Sequence, residues 1–539
     1  MKKKRGKTIW ETGKKNILQM LFSRTMLIMF LIVLQFAYIV ARIYALTEHI
    51  PLIVGSEYMV VAFMMIVILN SEENSSVKLS WCCLVGIFPL LGSVVYFIVK
   101  YDFGYRMVQK RVSFIEKESR KSLPEQSQLM NELKEKDMQT YRICCYLNRT
   151  SGSLVSKNNE IKYFPLGDIM YEEMLKQMEK AEEYIFLEYF MIAHGEMWNK
   201  ILRILEKKAK DGVEVRILYD GTCSVYLLPY QYPKEIEKLG IKCRMFSPPI
   251  PFVSTHYNNR DHRKIMIIDG KTVFTGGINL CDEYININSP VGHWKDVGIM
   301  IQGDAVYSFI MMFLQMWYAT DQKKYKTNKV QFPTVENAIK TDSKLNKEQA
   351  NRVGIRGKGY VIPYSDSPLD KENVCENVYM DILNQAKKYV YIMTPYLILD
   401  GEMMTAITFA AKRGVDIRIM LPHIPDKWYA FVLARANYKI LLEAGVKLYE
   451  YIPGFVHAKV FVADDERAVV GTANLDFRSL YWHYECSVYL YQVNEIKEIV
   501  KDFEETQKLC QQITEEVVKK IGIFSKVSAY ILKIVASLM

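Results

Sequence analysis

The sequence predicts an α/β protein in which N-terminal transmembrane helices precede two homologous α/β domains, packed as a pseudo-two-fold with a shared active site between them. Three observations predict this arrangement. Long apolar stretches crowd the first hundred residues, strand and helix patterns alternate through the remainder, and that remainder repeats itself.

The predicted anchor occupies 1–110, with apolar segments at about 25–46, 50–70 and 79–99. A span needs about 20 apolar residues, which the uncharged Leu79–Val99 meets and the other two meet with one charge each, Arg42 and Glu57. Further apolar segments follow the first, which argues against a cleaved signal peptide. Basic residues flank the region in "MKKKRGK" and "KYDFGYRMVQKR". Because an odd number of crossings would separate those flanks, one of the first two segments is expected to lie flat or re-enter. The net charge of +10 favours an anionic membrane surface over nucleic acid as partner. Ten cysteines without zinc or disulfide spacing lean toward reduced thiols and a cytoplasmic face for the soluble part of a multi-pass protein of the cell membrane.

A polar linker is expected over 111–160, helical around Ser119–Gln139, then one domain at 161–320, a second linker at 321–354 and the other domain at 355–539, closed by an apolar helix. The two domains echo each other at an offset of 202 (411 − 209): "AKDGVEVRILYDG" at 209–221 matches "AKRGVDIRIMLP" at 411–422. "AEEYIFLEYF" at 181–190 likewise parallels "AKKYVYIMTPY" at 386–396, and "EKLGIKCRMF" at 237–246 parallels "LEAGVKLYEY" at 442–451. Helix end, glycine turn and apolar strand recur in each, so each half reads as an α/β unit with a largely parallel sheet.

The chemistry sits in a further echo. "HRKIMIIDGKTVFTGGIN" at 262–279 and "HAKVFVADDERAVVGTAN" at 457–474 share His, Lys two later, Asp seven later, Gly fourteen later and Asn seventeen later. The His–Lys–Asp part alone is expected by chance about 0.02 times in this chain, and it occurs twice at equivalent places. Strand parity puts His262 with Lys264, and His457 with Lys459, on one face. Asp269 and Asp464 complete the catalytic motif, but their opposite parity suits pinning the turns "DGKT" and "DDER", or pairing with a nearby cation, better than touching substrate. The other six histidines read as satisfied core residues.

Two imidazoles and two ammonium groups fit a phosphodiester. Metal is a poor fit, since no carboxylate or thiol sits at ligand spacing beside either histidine. Lys264 and Lys459 would neutralise phosphoryl oxygens, joined by the amides of Asn279 and Asn474 and by backbone N–H groups near Gly276, Gly277 and Gly471. One imidazole would attack phosphorus and the other would protonate the leaving alkoxide. Each ring needs an acceptor on its second nitrogen. Asp296 in "GHWKDVGIMI" and Glu485 in "HYECSVYLY" are the candidates, each expected to serve the histidine of its own half.

The doubled motif resembles the phospholipase D superfamily. "NNRDHRKIMIIDG", "GGIN", "HWKDVG", "VHAKVFVAD" and "NLDFRSL", with the anchor before them, resemble its bacterial cardiolipin synthase branch over nearly the whole chain. The resemblance implies transfer of a phosphatidyl group between two phosphatidylglycerol molecules, giving cardiolipin and glycerol with no metal or other cofactor. His262 would be the nucleophile and His457 the acid/base. Phosphatidylglycerol and anionic membrane lipids would be the partners. The sequence departs from the family where an Asn–Phe–Glu run is replaced by His483, Tyr484 and Glu485, and where the usual Ser after the motif glycine is Gly277 or Thr472. A phospholipase D using water or another alcohol is the alternative reading. The spans disfavour a nuclease, and the intact motifs in both halves disfavour a silent lipid-binding scaffold. Arg478 suits either a lipid phosphate or a loop brace, and the tail 521–539 either an interfacial or a core-closing helix.

Overall fold

The computed structural model describes residues 51–101, 103–248, 259–321, 330–334 and 359–538, with isolated positions at 33, 36, 37, 40 and 337. The N-terminal basic run, the first predicted span apart from four of those isolated positions, and most of the 321–354 linker lie outside the described residues. The chain divides into two compact units. One comprises the N-terminal helices to Val108 together with Ile534–Leu538, and the other holds residues 109–533 apart from Pro249–Tyr257.

The first unit revises the anchor. Leu79–Val99, expected to be one straight span, is two helices, Ser75–Ile87 and Pro89–Lys100. Phe88 leaves helical geometry (φ −128°, ψ 76°) ahead of Pro89, which occupies the first turn of the new helix, where its missing N–H costs nothing. The chain then folds back, so that the Trp81 and Tyr96 rings meet edge-on at 5.3 Å. Gly92 permits the hairpin, since a Cβ there would lie 2.9 Å from the Leu84 carbonyl oxygen and Val85 Cα. At 1.5 Å per residue each arm is about 20 Å or less, short of a hydrocarbon core of about 30 Å. Among the described residues no helix is long and apolar enough to cross a membrane. With helix Pro51–Leu69 the arms enclose a small core of Met64, Ile68, Val77, Trp81, Val85 and Tyr96, and Ser80 bonds Ser537 at 2.7 Å. The outer faces remain apolar, with Met59, Phe63, Ile66, Leu79 and Ile87 all more than half exposed.

The second unit contains two sheets of matching order. The first runs β1 (Asn159–Phe164), β9 (Gly298–Gly303), β7 (Thr272–Gly276), β6 (Lys264–Ile268), β2 (Tyr184–Tyr189), β3 (Glu214–Asp220), β4 (Lys242–Phe246). The second runs β10 (Tyr360–Asp366), β17 (His483–Tyr491), β16 (Arg467–Gly471), β15 (Val460–Ala463), β11 (Tyr389–Met393), β12 (Asp416–Pro422), β13 (Lys447–Tyr451), β18 (Cys510–Ile513).

The sheets are mixed rather than largely parallel. Helices Glu196–Lys210 and Gly401–Lys412 carry the chain across to parallel neighbours at β2–β3 and β11–β12, with Gly212 (φ 91°) and Gly414 (φ 96°) turning from helix to strand. The motif strands are instead antiparallel hairpins, β6–β7 and β15–β16. Their turns need two successive left-handed residues, supplied by Asp269–Gly270 and Asp464–Asp465, and such short connections cannot join parallel strands. Every residue of β6, β7, β15 and β16 is buried, as their Ile, Val and Phe content requires.

The segment read as a polar linker is partly core. Helices Ser127–Lys136 and Met138–Ser151 place Leu133, Ile143, Cys144 and Leu147 in the apolar cluster of the second half. The C-terminal helix Ile523–Val535 does not close a core, because it buries only Ala529 and leaves Phe524 87% exposed.

Candidate active site

The halves exchange short strands. β5 (Arg260–Asp261), just before His262, pairs in parallel with the start of β17, Arg260 opposite His483 and Asp261 opposite Tyr484. β14 (Gly454–Val456), just before His457, pairs in parallel with β8 (His293–Lys295). The register continues one step further in each case: the His262 amide donates to the Tyr484 carbonyl at 2.9 Å and the His457 amide to the Lys295 carbonyl at 2.7 Å. Each motif histidine therefore arrives beside the carboxylate of the opposite half.

This corrects the expected pairing. His262 Nδ1 lies 2.9 Å from both oxygens of Glu485, and His457 Nδ1 lies 2.6 Å from Asp296 Oδ2. An ionised carboxylate only accepts, so Glu485 fixes the N–H of His262 at Nδ1 and leaves its Nε2 with the lone pair free. Both rings are buried, at 6% and 7% exposure, and both carboxylates are fully so. Phe190 stands edge-on to His262 at 4.9 Å, while Tyr284 and Trp294 wall His457 at 5.3 and 5.4 Å.

The lysines lie with their histidines as strand parity requires. Lys264 Nζ donates to the His262 carbonyl at 2.6 Å, and Lys459 Nζ sits 2.9 and 3.0 Å from the two ring nitrogens of His457. Burial pushes both ammonium groups down, Lys264 to about 8 and Lys459 to about 7, against the pull of the two carboxylates. Burial also holds both imidazoles well below their usual range, reinforced at His457 by Lys459.

The carboxylates differ. Burial raises Asp296 to about 7, only partly opposed by Lys459. Burial acts on Glu485 too, but His262 outweighs it and holds this carboxyl well below its ordinary value. Thr472, at one of the departures from the family, donates its hydroxyl to Glu485.

The motif aspartates are elsewhere. Asp269 accepts the N–H groups of Glu182, Glu183 and Tyr184, and Asp464 those of Lys387, Lys388 and Tyr389. They clamp the starts of β2 and β11 to the motif hairpins. Their carboxylates are thus taken up by backbone amides of a neighbouring strand, not by the histidines or by their own turns alone. The asparagines are also committed. Asn279 accepts from Met191 N–H and donates to the Tyr284 hydroxyl at 2.7 Å, while Asn474 donates to Asp476 at 3.1 Å. The glycines make room: a Cβ on Gly277 would fall 2.1 Å from Asp296 Oδ1, on Gly276 2.4 Å from the Val297 carbonyl oxygen, and on Gly471 1.9 Å from Ser487 Oγ.

His483 was missed. It is 8% exposed, its ring is 5.3 Å from that of His262, and neither of its nitrogens has a hydrogen bond, so it is no satisfied core residue. The parity rule that joined His to Lys would also have put His483 on the face of Glu485.

The family described as "Cardiolipin synthase, PLD-like domain" matches residues 174–317 and 379–507, and "Phospholipase_D-nuclease N-terminal" matches 59–100. The match to the first of these families places the chain among phosphatidyltransferases of the phospholipase D type. An uncharacterized protein of Streptococcus mutans is 48% identical over 88% of this chain and 98% of its own length. A cardiolipin synthase of Geobacillus sp. is 33% identical over 85% of this chain and 88% of its own. The chain belongs to the bacterial cardiolipin synthase family. The crystal structure of phosphatidylserine synthase from Haemophilus influenzae shares the fold, with a TM-score of 0.53 and 16% identity over 74% of this chain and all of that one.

Proposed function

We propose that the protein makes cardiolipin and glycerol from two phosphatidylglycerol molecules through a phosphatidyl-histidine intermediate. The crossed histidine–carboxylate pairs carry this reading, because they supply two buried, oriented imidazoles beside two lysines.

The unequal carboxylates support an order of events. Ionised Glu485 keeps neutral His262 with its proton on Nδ1, so Nε2 is the nucleophile. Asp296, raised to about 7, lets the His457–Asp296 pair carry a proton near neutrality, so His457 is the acid. His262 Nε2 attacks phosphorus, the bond from phosphorus to the glycerol oxygen breaks, and His457 protonates that oxygen as glycerol leaves. The primary hydroxyl of a second phosphatidylglycerol then gives its proton to His457 and attacks phosphorus, breaking the P–N bond and freeing His262. Lys264 and Lys459 offset charge on the phosphoryl oxygens in both steps.

The exposed apolar faces of the N-terminal helices support attachment to a membrane, where both lipid substrates reside. The test uses the full chain in phosphatidylglycerol vesicles with chelator present, lipid products and glycerol followed together, and His457→Ala as control. Equal cardiolipin and glycerol, lost in the control, is the expected result. Phosphatidic acid with glycerol would make the enzyme a hydrolase and overturn the transferase reading.

A further inference from the structure

His483 is a buried imidazole for which neither catalytic step has a use. It opens β17, with the rings of Phe190 and His262 6.3 and 5.3 Å from its own, and neither of its nitrogens has a hydrogen bond. A polar group left unpaired in the interior forfeits its hydration without replacing it, so the position calls for a ligand. Glu485 Oε1 lies 3.7 Å from Nδ1 of His483. The ligand atoms of His262, His483 and Glu485 lie within 4.8 Å of one another, the only such trio among the described residues.

We propose that His262, His483 and Glu485 form an inhibitory site for a borderline divalent transition metal, Zn²⁺ first. A tetrahedral ion with bonds near 2.0–2.1 Å sets its ligands about 3.3 Å apart. That falls between the 2.9 Å from His262 to Glu485 and the 3.7 Å from His483 to Glu485. Two imidazoles and one carboxylate leave a fourth position open, as zinc sites that bind an external ligand do. The surrounding bonds are compatible. Thr472 donates to Oε2 and leaves Oε1 available, and Lys264 is held on the His262 carbonyl. The other half offers no equivalent, because Lys459 covers both nitrogens of His457. Sequence spacing hides the site, since its donors come from both halves.

The consequence rests on the proposed transferase mechanism. An ion between His262 and Glu485 displaces the Nδ1 proton, occupies the orienting carboxylate and withdraws electron density from the imidazole, so Nε2 attacks phosphorus poorly. Zn²⁺ is therefore a reversible inhibitor of an enzyme whose chemistry proceeds without it.

The full chain, stripped with chelator, is titrated with Zn²⁺ by calorimetry and with Co²⁺ by visible absorption, and transfer of phosphatidylglycerol is followed across the same Zn²⁺ range. We expect one ion per chain, tetrahedral Co²⁺ bands, inhibition tracking occupancy, and recovery on adding chelator. His483→Asn should weaken binding at least about tenfold and shift its own inhibition curve equally. Thermal melts and His483→Gln guard against a folding defect. No binding to the wild-type chain, or equal binding and inhibition in His483→Asn, overturns the proposal. His457→Ala separates the two claims: Zn²⁺ bound by this inactive variant supports the metal site, and Zn²⁺ bound by a wild-type chain that makes no cardiolipin refutes the transferase instead.

Discussion

Gly277→Ala tests whether Asp296 acts through its position. An alanine Cβ would sit 2.1 Å from Asp296 Oδ1 and 2.8 Å from Cγ and Oδ2, where real side chains essentially never come below 3.0 Å. The carboxylate must retreat by at least 0.9 Å (3.0 − 2.1). It has little freedom to turn instead, because Oδ1 already accepts the Val297 N–H at 2.8 Å. A retreat of that size stretches the 2.6 Å bond to His457 Nδ1 toward the limit of hydrogen bonding. Loss of a bond to a charged acceptor costs about 1.5–3 kcal/mol, which converts to a rate reduction of about 10- to 150-fold. The assay is transfer in phosphatidylglycerol vesicles, normalised to folded protein by thermal melt, since overpacking adds its own cost of about 1–3 kcal/mol in stability. Gly471→Ala is the matched control, because its Cβ would strike Ser487 rather than Glu485. If folded Gly277→Ala works within about twofold of wild type, Asp296 does not act by holding His457.

The crossed pairing predicts that stability cycles couple His262 to Glu485, and His457 to Asp296, by about 1–3 kcal/mol, whereas His262 and Asp296 couple by less than about 0.5; denaturant melts of single and double variants decide, and coupling within halves would refute the crossing. Asp269→Ala strips three N–H groups of their acceptor, so it should lower stability by about 2–4 kcal/mol while changing the rate per folded molecule less than about twofold. Transfer should fall as pH rises past about 7, where the raised Asp296 and the lowered Lys459 both lose their protons, with Lys264 following at about 8. The acid limb should lie well below 6.5, because burial keeps His262 neutral. A pH profile of initial rates checks both limbs, and an alkaline limb above about 9 would refute the assignment.

Much was legible because it is written in local spacing. The α/β class follows from helix, glycine turn and apolar strand in succession, and the family from the doubled motif. Placing Lys264 beside His262 needed only the two-residue period of a strand. What escaped depends on contacts between distant residues. Whether the Asp269 carboxylate faces its own turn or the amides of 182–184 cannot be read from residues that lie more than 80 positions apart. The partner of His262 escaped for the same reason, since both carboxylates occupy equivalent places and only the strand exchange at β5 and β17 selects Glu485. The hairpin at Phe88 had a visible cue in Pro89, which hydropathy averaging over 79–99 conceals.

The strand exchange also bears on why two similar halves stay joined. Neither half holds its own histidine: β5 without β17 deprives the His262 amide of its acceptor and Nδ1 of Glu485, and β14 without β8 deprives the His457 amide of its acceptor and Nδ1 of Asp296. A single half therefore presents a lysine and an imidazole with no fixed tautomer. Joining the halves in one chain permits a further step closed to an identical pair, because the two acceptors can differ. Glutamate on one side and aspartate on the other give one carboxyl held low and one raised to about 7. The frame is nearly symmetric while the protonation is not, and a nucleophile with a separate acid requires that inequality.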